Sequence, residues 1–274
     1  MSIVAISETA GSLGNEIGRR LADRLGYRFA DREIIAKASE QFGENVTDLR
    51  HGVEEKPTLW ERLTDTQHRY QAYVEAMILE MASGDNAVLA GLASTIVLAP
   101  ISHALRVRTD APERIRAERI EQQQGLTRDA SVDFVRQTDH ERAARVKFLY
   151  RVDVADPLLY DVVLNTERLT ADEGARLVEE VLKQSRFRTS ADSERRLVDM
   201  SIVAGAKAAF RASPSIDALR VFVSASGGYV SLSGAVDAEE DRQTAQQIVE
   251  RIPGVTGVLN EIVIIPRGRR PIGL

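Results

Sequence analysis

The chain contains no cysteine. Disulfides and thiolate metal sites are therefore excluded, while the compartment is left open. Histidine is scarce. His51, His68, His103 and His140 are scattered, with no ligand spacing such as His-x-x-x-His, so surface or helix positions are expected and no metal site. Long hydrophobic runs are missing as well, none approaching the roughly 18–20 residues of a membrane span. Met1-Ser2 leads straight into Ile3-Val4-Ala5-Ile6 without a basic stretch, so a cytoplasmic protein without a secretory signal is expected. Positive charge is in deficit: 36 Lys+Arg stand against 41 Asp+Glu, a net charge of −5. That balance argues against nucleic acid and against an anionic membrane surface as partners.

What is present is a globular composition, 43% hydrophobic and 28% charged, on a chain long enough for one large or two modest domains. Short apolar runs predict strands at 3–7, 27–30, 87–91, 105–109 and 161–165, with helices between them. The clearest helix is 59–81, where Leu63, Tyr70, Val74, Met77 and Met81 recur at helical spacing. Strands separated by helices imply a mostly parallel sheet, with ligands bound outside the strand C-termini. Residues 187–195 are polar and read as a linker whose second half could begin a helix. The pattern then changes to a helix near 197–210, strands at 219–225 and 229–233 around Ser226-Gly227-Gly228, and a helix capped by Asp237. Pro253-Gly254 breaks that helix, and a last strand spans 258–265. The basic stretch 267–274 reads as a tail.

The most informative segment is the turn Gly11-Ser12-Leu13-Gly14-Asn15-Glu16. It follows the first strand and opens an amphipathic helix at 16–25. Backbone N–H groups and the positive helix end converge there, as a phosphate-cradling loop requires. Yet no lysine lies in the turn, and no Ser or Thr follows where a Mg²⁺ ligand would stand. The plainer alternative is a tight strand-to-helix turn in which Glu16 complements the helix dipole.

The run from Ile6-Ser7 through Gly11-Ser12-Leu13-Gly14-Asn15-Glu16-Ile17-Gly18, Leu21-Ala22-Asp23-Arg24-Leu25-Gly26 and Asp31-Arg32-Glu33-Ile34-Ile35 resembles the opening of the cytidylate-kinase-like family, "ISR…GSGGREIG…LAERLG…DREII". Gly84-Asp85-Asn86-Ala87-Val88-Leu89-Ala90-Gly91, the segment 107–119, Asp139-His140-Glu141-Arg142 and Tyr160-Asp161-Val162-Val163-Leu164-Asn165-Thr166 extend the resemblance over roughly 1–185. It implies a P-loop kinase fold with a nucleotide site at Gly11, Ser12, Leu13, Gly14, Asn15 and Glu16. It further implies a nucleoside-monophosphate site near Asp31, Arg32, Asp139 and Arg142. ATP and Mg²⁺ are implied if the protein is active. The departures are specific. Aligned on the helix, Gly14 stands at the lysine position, Glu16 at the Mg²⁺-binding hydroxyl, Asn15 at an arginine and Leu13 at a glycine. After the third strand, Ala90-Gly91-Leu92 lacks the family's Arg and its acid. Phosphoryl transfer depends on positioning and charge neutralisation, so the remaining cations matter. They are Arg19, Arg32, Arg114, Arg116, Arg119, Arg136 and Arg142, of which Arg114, Arg119 and Arg142 are the catalytic candidates. Asp139 and Arg142 could equally form an intrahelical ion pair.

The segment 196–266 resembles a BON domain through Val230-Ser231-Leu232-Ser233-Gly234-Ala235-Val236, then Ala245 and Ile248, then Ile252-Pro253-Gly254-Val255-Thr256-Gly257-Val258-Leu259-Asn260. Val230, Leu232 and Val236 should share one face, with Gly234 ending the strand. The resemblance implies a small α+β binding module without catalytic residues, of a kind associated with membrane surfaces and phospholipids or with sensing of small ligands or ions. The absence of a basic stripe argues against a membrane, and the plainer alternative is a unit for a protein partner or for self-association.

The expected fold class is α/β: a P-loop NMP-kinase-like parallel sheet flanked by helices at 1–186, plus a small α+β (αββαβ) BON module. The expected function is that of a degenerate, nucleotide-binding pseudokinase acting as sensor or scaffold. The alternative is an active kinase that transfers the ATP γ-phosphate to a pyrimidine monophosphate.

Overall fold

The computed structural model describes residues 2–49, 66–91, 93–218 and 220–266. It divides into two compact units, Met1–Ser193 and Glu194–Leu274.

In the first unit, β1 (Ile3–Glu8), β2 (Arg28–Ala30), β3 (Ala87–Ala90), β4 (Ala104–Asp110) and β5 (Val162–Asn165) form one sheet in the order β2-β3-β1-β4-β5. Every pairing is parallel. Ile3, Val4, Ala5 and Ile6 are wholly buried, because helices cover both faces of the central strand. The covering helices include α1 (Gly14–Leu25), α2 (Arg32–Phe42), α3 (Thr66–Ser83), α4 (Ser94–Val97), α5 (Glu113–Gln124), α6 (Arg128–Tyr150) and α7 (Ala171–Leu182). Ile17 and Leu21 of α1 pack with Ala175 and Val178 of α7 over Val4, Ile6 and Val107. Gly174 permits that approach, since a Cβ there would lie 2.7 Å from Ile17 Cδ1. A capping box, Thr170 with Glu173, fixes the start of α7.

The second unit holds most of α8 (Ala191–Ala212), then β6 (Val221–Ser226), β7 (Tyr229–Val236), α9 (Glu239–Glu250), β8 (Gly257–Asn260) and β9 (Val263–Ile264). Ile202, Ala206 and Phe210 of α8 pack on Val230, Leu232 and Val249. The Asp199 carboxylate accepts the N–H groups of Gly227 and Gly228, both at 2.9 Å, and so fastens the β6–β7 turn.

Several expectations need correction. The helix expected at 59–81 ends two residues later, at Ser83; it is described from Thr66, and residues 59–65 lie outside the described residues, as do His51, Leu92 and the tail at 267–274. The first helix begins two residues earlier than expected, at Gly14. Helix α8 begins at Ala191, so the second half of the polar stretch is helical. Gly234 does not end its strand. Its φ of +107° lets β7 continue to Val236 while the backbone touches the Arg220 carbonyl. Asp237 is not the cap of α9. Ala238 holds that position, and Asp237 pairs with Arg220 at 2.6 Å. The last strand splits in two because Ile262 turns into the core. His103 lies neither on the surface nor in a helix: it is fully buried, 3.2 Å from Asp85.

Candidate functional site

The site lies at the C-terminal ends of β1 and β4, where parallel sheets present their ligand side. Between Glu8 and Gly14 the chain makes a loop with two left-handed residues, Gly11 (φ 76°) and Leu13 (φ 64°). At Gly11 this is a close approach: a Cβ would lie 2.6 Å from the Arg116 carbonyl oxygen. Leu13 is the N-cap of α1 and offers no side-chain bond to the helix end.

Two guanidiniums hold this loop from behind. Arg116 is buried; its Nε donates to the Ala111 carbonyl at 2.8 Å and its Nη1 to the Ala10 carbonyl at 3.1 Å. The same Nη1 meets Asp139 Oδ2 at 2.5 Å. Asp139 Oδ1 in turn accepts the Ala10 N–H at 2.9 Å. Arg119 donates to the Gly11 carbonyl at 3.1 Å and to the Thr166 carbonyl at 2.6 Å. Burial lowers the Arg119 pKa, and the charge of Glu16 opposes that shift. Asp139 is thus paired with Arg116 and not, as its spacing suggested, with Arg142.

Four of the loop's backbone donors, those of Thr9, Ala10, Ser12 and Asn15, are committed inside the protein. Thr9 N–H bonds the Thr109 carbonyl at 3.3 Å and Ser12 N–H the Thr9 carbonyl at 3.1 Å. Ser12 is wholly buried, its hydroxyl directed at the Thr9 and Thr109 carbonyls at 2.8 and 3.0 Å. Asn15 N–H donates to Glu8 Oε2 at 2.9 Å, and Asn15 Nδ2 to Glu8 Oε1 at 3.0 Å. Burial raises the Glu8 carboxyl; the Asn15 bonds and the Arg142 charge pull it back.

Two adjoining cavities meet at Glu8, Asp31 and Arg142. One, of about 350 Å³, is bordered also by Asp139, Arg108, Arg145, Gln71 and Tyr150. The other, of about 500 Å³, is bordered by Gly11, Leu13, Asn15, Glu16 and Arg19. Arg108 donates to Ser7 Oγ at 2.9 Å and stands over the Tyr160 ring. Burial, with the charge of Glu75 behind it, raises the Tyr150 hydroxyl well above its ordinary value.

The structure therefore brings Asp31, Asp139 and Arg142 to one cleft, and Gly11, Leu13, Asn15 and Glu16 to its neighbour. Ser12 is turned away, and Gly14 is buried against Glu8. Arg114 lies on the surface with Glu118 at 3.1 Å, and Arg136 pairs with Glu113 at 2.8 Å. Arg32 opens α2, its side chain lying outside the described residues. Sequence reasoning missed Glu8, Arg108 and Arg145. Two signals were available: Arg108 lies in the C-terminal half of a strand of the parallel sheet, on the side where ligands bind, and Arg145 follows Arg142 by one helical turn.

A bound Mg²⁺ with nucleotide phosphates does not fit this donor set. The one hydroxyl of the turn faces the interior, the turn carries no cation, and a carboxylate occupies its mouth. Among the described residues, no group of three or more His, Cys, Asp or Glu is placed to hold a metal ion. Nor is any described helix long and apolar enough to cross a membrane.

Comparison with known proteins agrees with this architecture. The cytidylate kinase of Ignicoccus hospitalis is 27% identical over 167 residues, 61% of this chain and 90% of the relative. That of Methanopyrus kandleri is 27% identical over 172 residues, 62% of this chain and 88% of the relative. The crystal structure of an uncharacterized protein from Eubacterium ventriosum superposes with a TM-score of 0.54 at 13% identity. It covers 67% of this chain and 99% of that one, a likeness of fold. Residues 199–266 match the BON domain. Residues 3–168, more than half of the chain, match the cytidylate kinase-like family, and the protein belongs to that family.

Proposed function

We propose that this chain is a family member that binds a nucleoside monophosphate without transferring a phosphoryl group to it. In this proposal it is a cytoplasmic sensor or scaffold, and its BON unit supplies the surface for a protein partner or a second copy. The observation that carries the reading is the commitment of the loop. Phosphoryl transfer needs cations and free amides around the phosphates. Here Arg116 and Arg119 are spent on carbonyls behind the loop, and the Asn15 amide is spent on Glu8. The cleft beside it keeps what a monophosphate needs. Arg108, Arg142 and Arg145 border it, and guanidinium groups suit phosphate oxygens. Among the described residues Arg142 makes no hydrogen bond or ion pair, so its guanidinium is the one we assign to the ligand's phosphate.

Calorimetric titration with CMP, dCMP, UMP, AMP and GMP tests this. One of them should bind, and Arg142→Ala should weaken it about tenfold, the loss of one charge-assisted contact. The melting temperature should stay unchanged. Failure of all five to bind would end the reading. The second reading, an active cytidylate-type kinase using ATP and Mg²⁺, is favoured by the names of the relatives. It requires Glu8 to leave the loop.

A further inference from the structure

The mouth of the loop is filled by the protein's own carboxylate. Glu8 takes one backbone and one side-chain donor of Asn15, at 2.9 and 3.0 Å. Those donors stand at the positive end of α1, where a phosphate oxygen would find the same partners. The packing is fitted to this arrangement. A Cβ on Gly14 would lie 2.6 Å from both Glu8 Cβ and Glu8 Oε2. Thr109 Oγ1 would lie at 2.7 Å as well, so only a glycine at position 14 lets Glu8 lie this close to the start of α1. Glu8 also borders both cavities, so a rotation of its side chain has space to enter. Of the charged groups that act on it, Arg142 on α6 attracts and Glu16 on α1 repels.

We propose that Glu8 is an internal anion that closes the phosphate loop, an autoinhibitory contact that an incoming polyphosphate must displace. The proposal rests on the chain's being a nucleotide-binding family member, and it adds how the loop is kept shut. A polyphosphate arriving while Glu8 stays in place would set like charges within a few ångströms of each other.

The test is calorimetric titration of the full chain with inorganic tripolyphosphate, comparing wild type with Glu8→Gln. Glutamine keeps the length and can still accept the Asn15 N–H, but carries no charge. Tripolyphosphate should bind Glu8→Gln at least about tenfold more tightly than wild type. Equal affinities, or no binding in either protein, would overturn the proposal. Should Glu8→Gln lose the wild-type circular dichroism spectrum, Glu8→Ala takes its place with the same two outcomes. A parallel CMP titration separates the two claims. Loss of CMP binding in wild type counts against the monophosphate reading alone. Unchanged tripolyphosphate affinity with CMP binding intact counts against the closed loop alone.

Discussion

Replacing Arg116 by Met should unseat the loop. The side chain is only 10% exposed, and its partner Asp139 is 24% exposed. Methionine keeps much of the volume but leaves the Asp139 carboxylate and the Ala10 and Ala111 carbonyls without their donor. Removing one member of a buried ion pair costs roughly 3–5 kcal/mol. The partial exposure of Asp139 places this case at the lower end, about 3 kcal/mol, or a fall in melting temperature of roughly 6–12 °C. Asp139→Asn is milder, because the Asn oxygen can still accept the Ala10 N–H; about 1–2 kcal/mol is expected. The two changes share one contact, so the double variant should fall short of the sum by about 1 kcal/mol or more. Urea unfolding followed by far-ultraviolet circular dichroism is the assay. A loss below about 1 kcal/mol for Arg116→Met would refute the argument that Arg116 is a clamp.

Glu8 should also leave a mark on stability. Its folded pKa is raised, so only in the window between the ordinary carboxylate range and the raised value does the folded state hold a proton that the unfolded chain has released. The stabilisation is therefore full below the ordinary carboxylate range and is lost as pH rises through the raised value. Glu8→Gln should accordingly melt no lower than wild type at pH 7, and pH-dependent calorimetry should show a flatter rise toward acid; a clear loss of stability at neutral pH would contradict the sign. Asp199→Ala removes the acceptor of two backbone N–H groups in the β6–β7 turn. It should cost about 1–2 kcal/mol, read as faster hydrogen exchange at Gly227 and Gly228, with unchanged exchange there as the opposing result.

The parallel sheet was legible because buried strands are short and apolar, and because helices separate them in the chain. Strand 3–7 is one such case, extending in the structure to Glu8. The glycine turn was legible for the same local reason. What could not be read were pairings between distant residues. Asp139 lies one helical turn before Arg142, and local spacing alone pairs those two; the fold instead delivers Arg116 from α5. Ser12 reads as a phosphate ligand until β4 places the Thr109 carbonyl within reach of its hydroxyl. Glu8 went unnoticed because it ends a strand, and its role exists only once α1 turns Asn15 back toward it. In the second unit, Asp237 has the chemistry of a helix cap, but Arg220 from the facing strand end claims it first.

The most direct test of the whole account is a phosphotransfer assay. Mg-ATP would be supplied at high enzyme concentration with whichever monophosphate binds. The wild-type chain should form no diphosphate above a mock preparation. Sustained formation of CDP or another diphosphate by that chain, lost in Arg142→Ala, would contradict it and establish an active kinase whose loop opens during turnover.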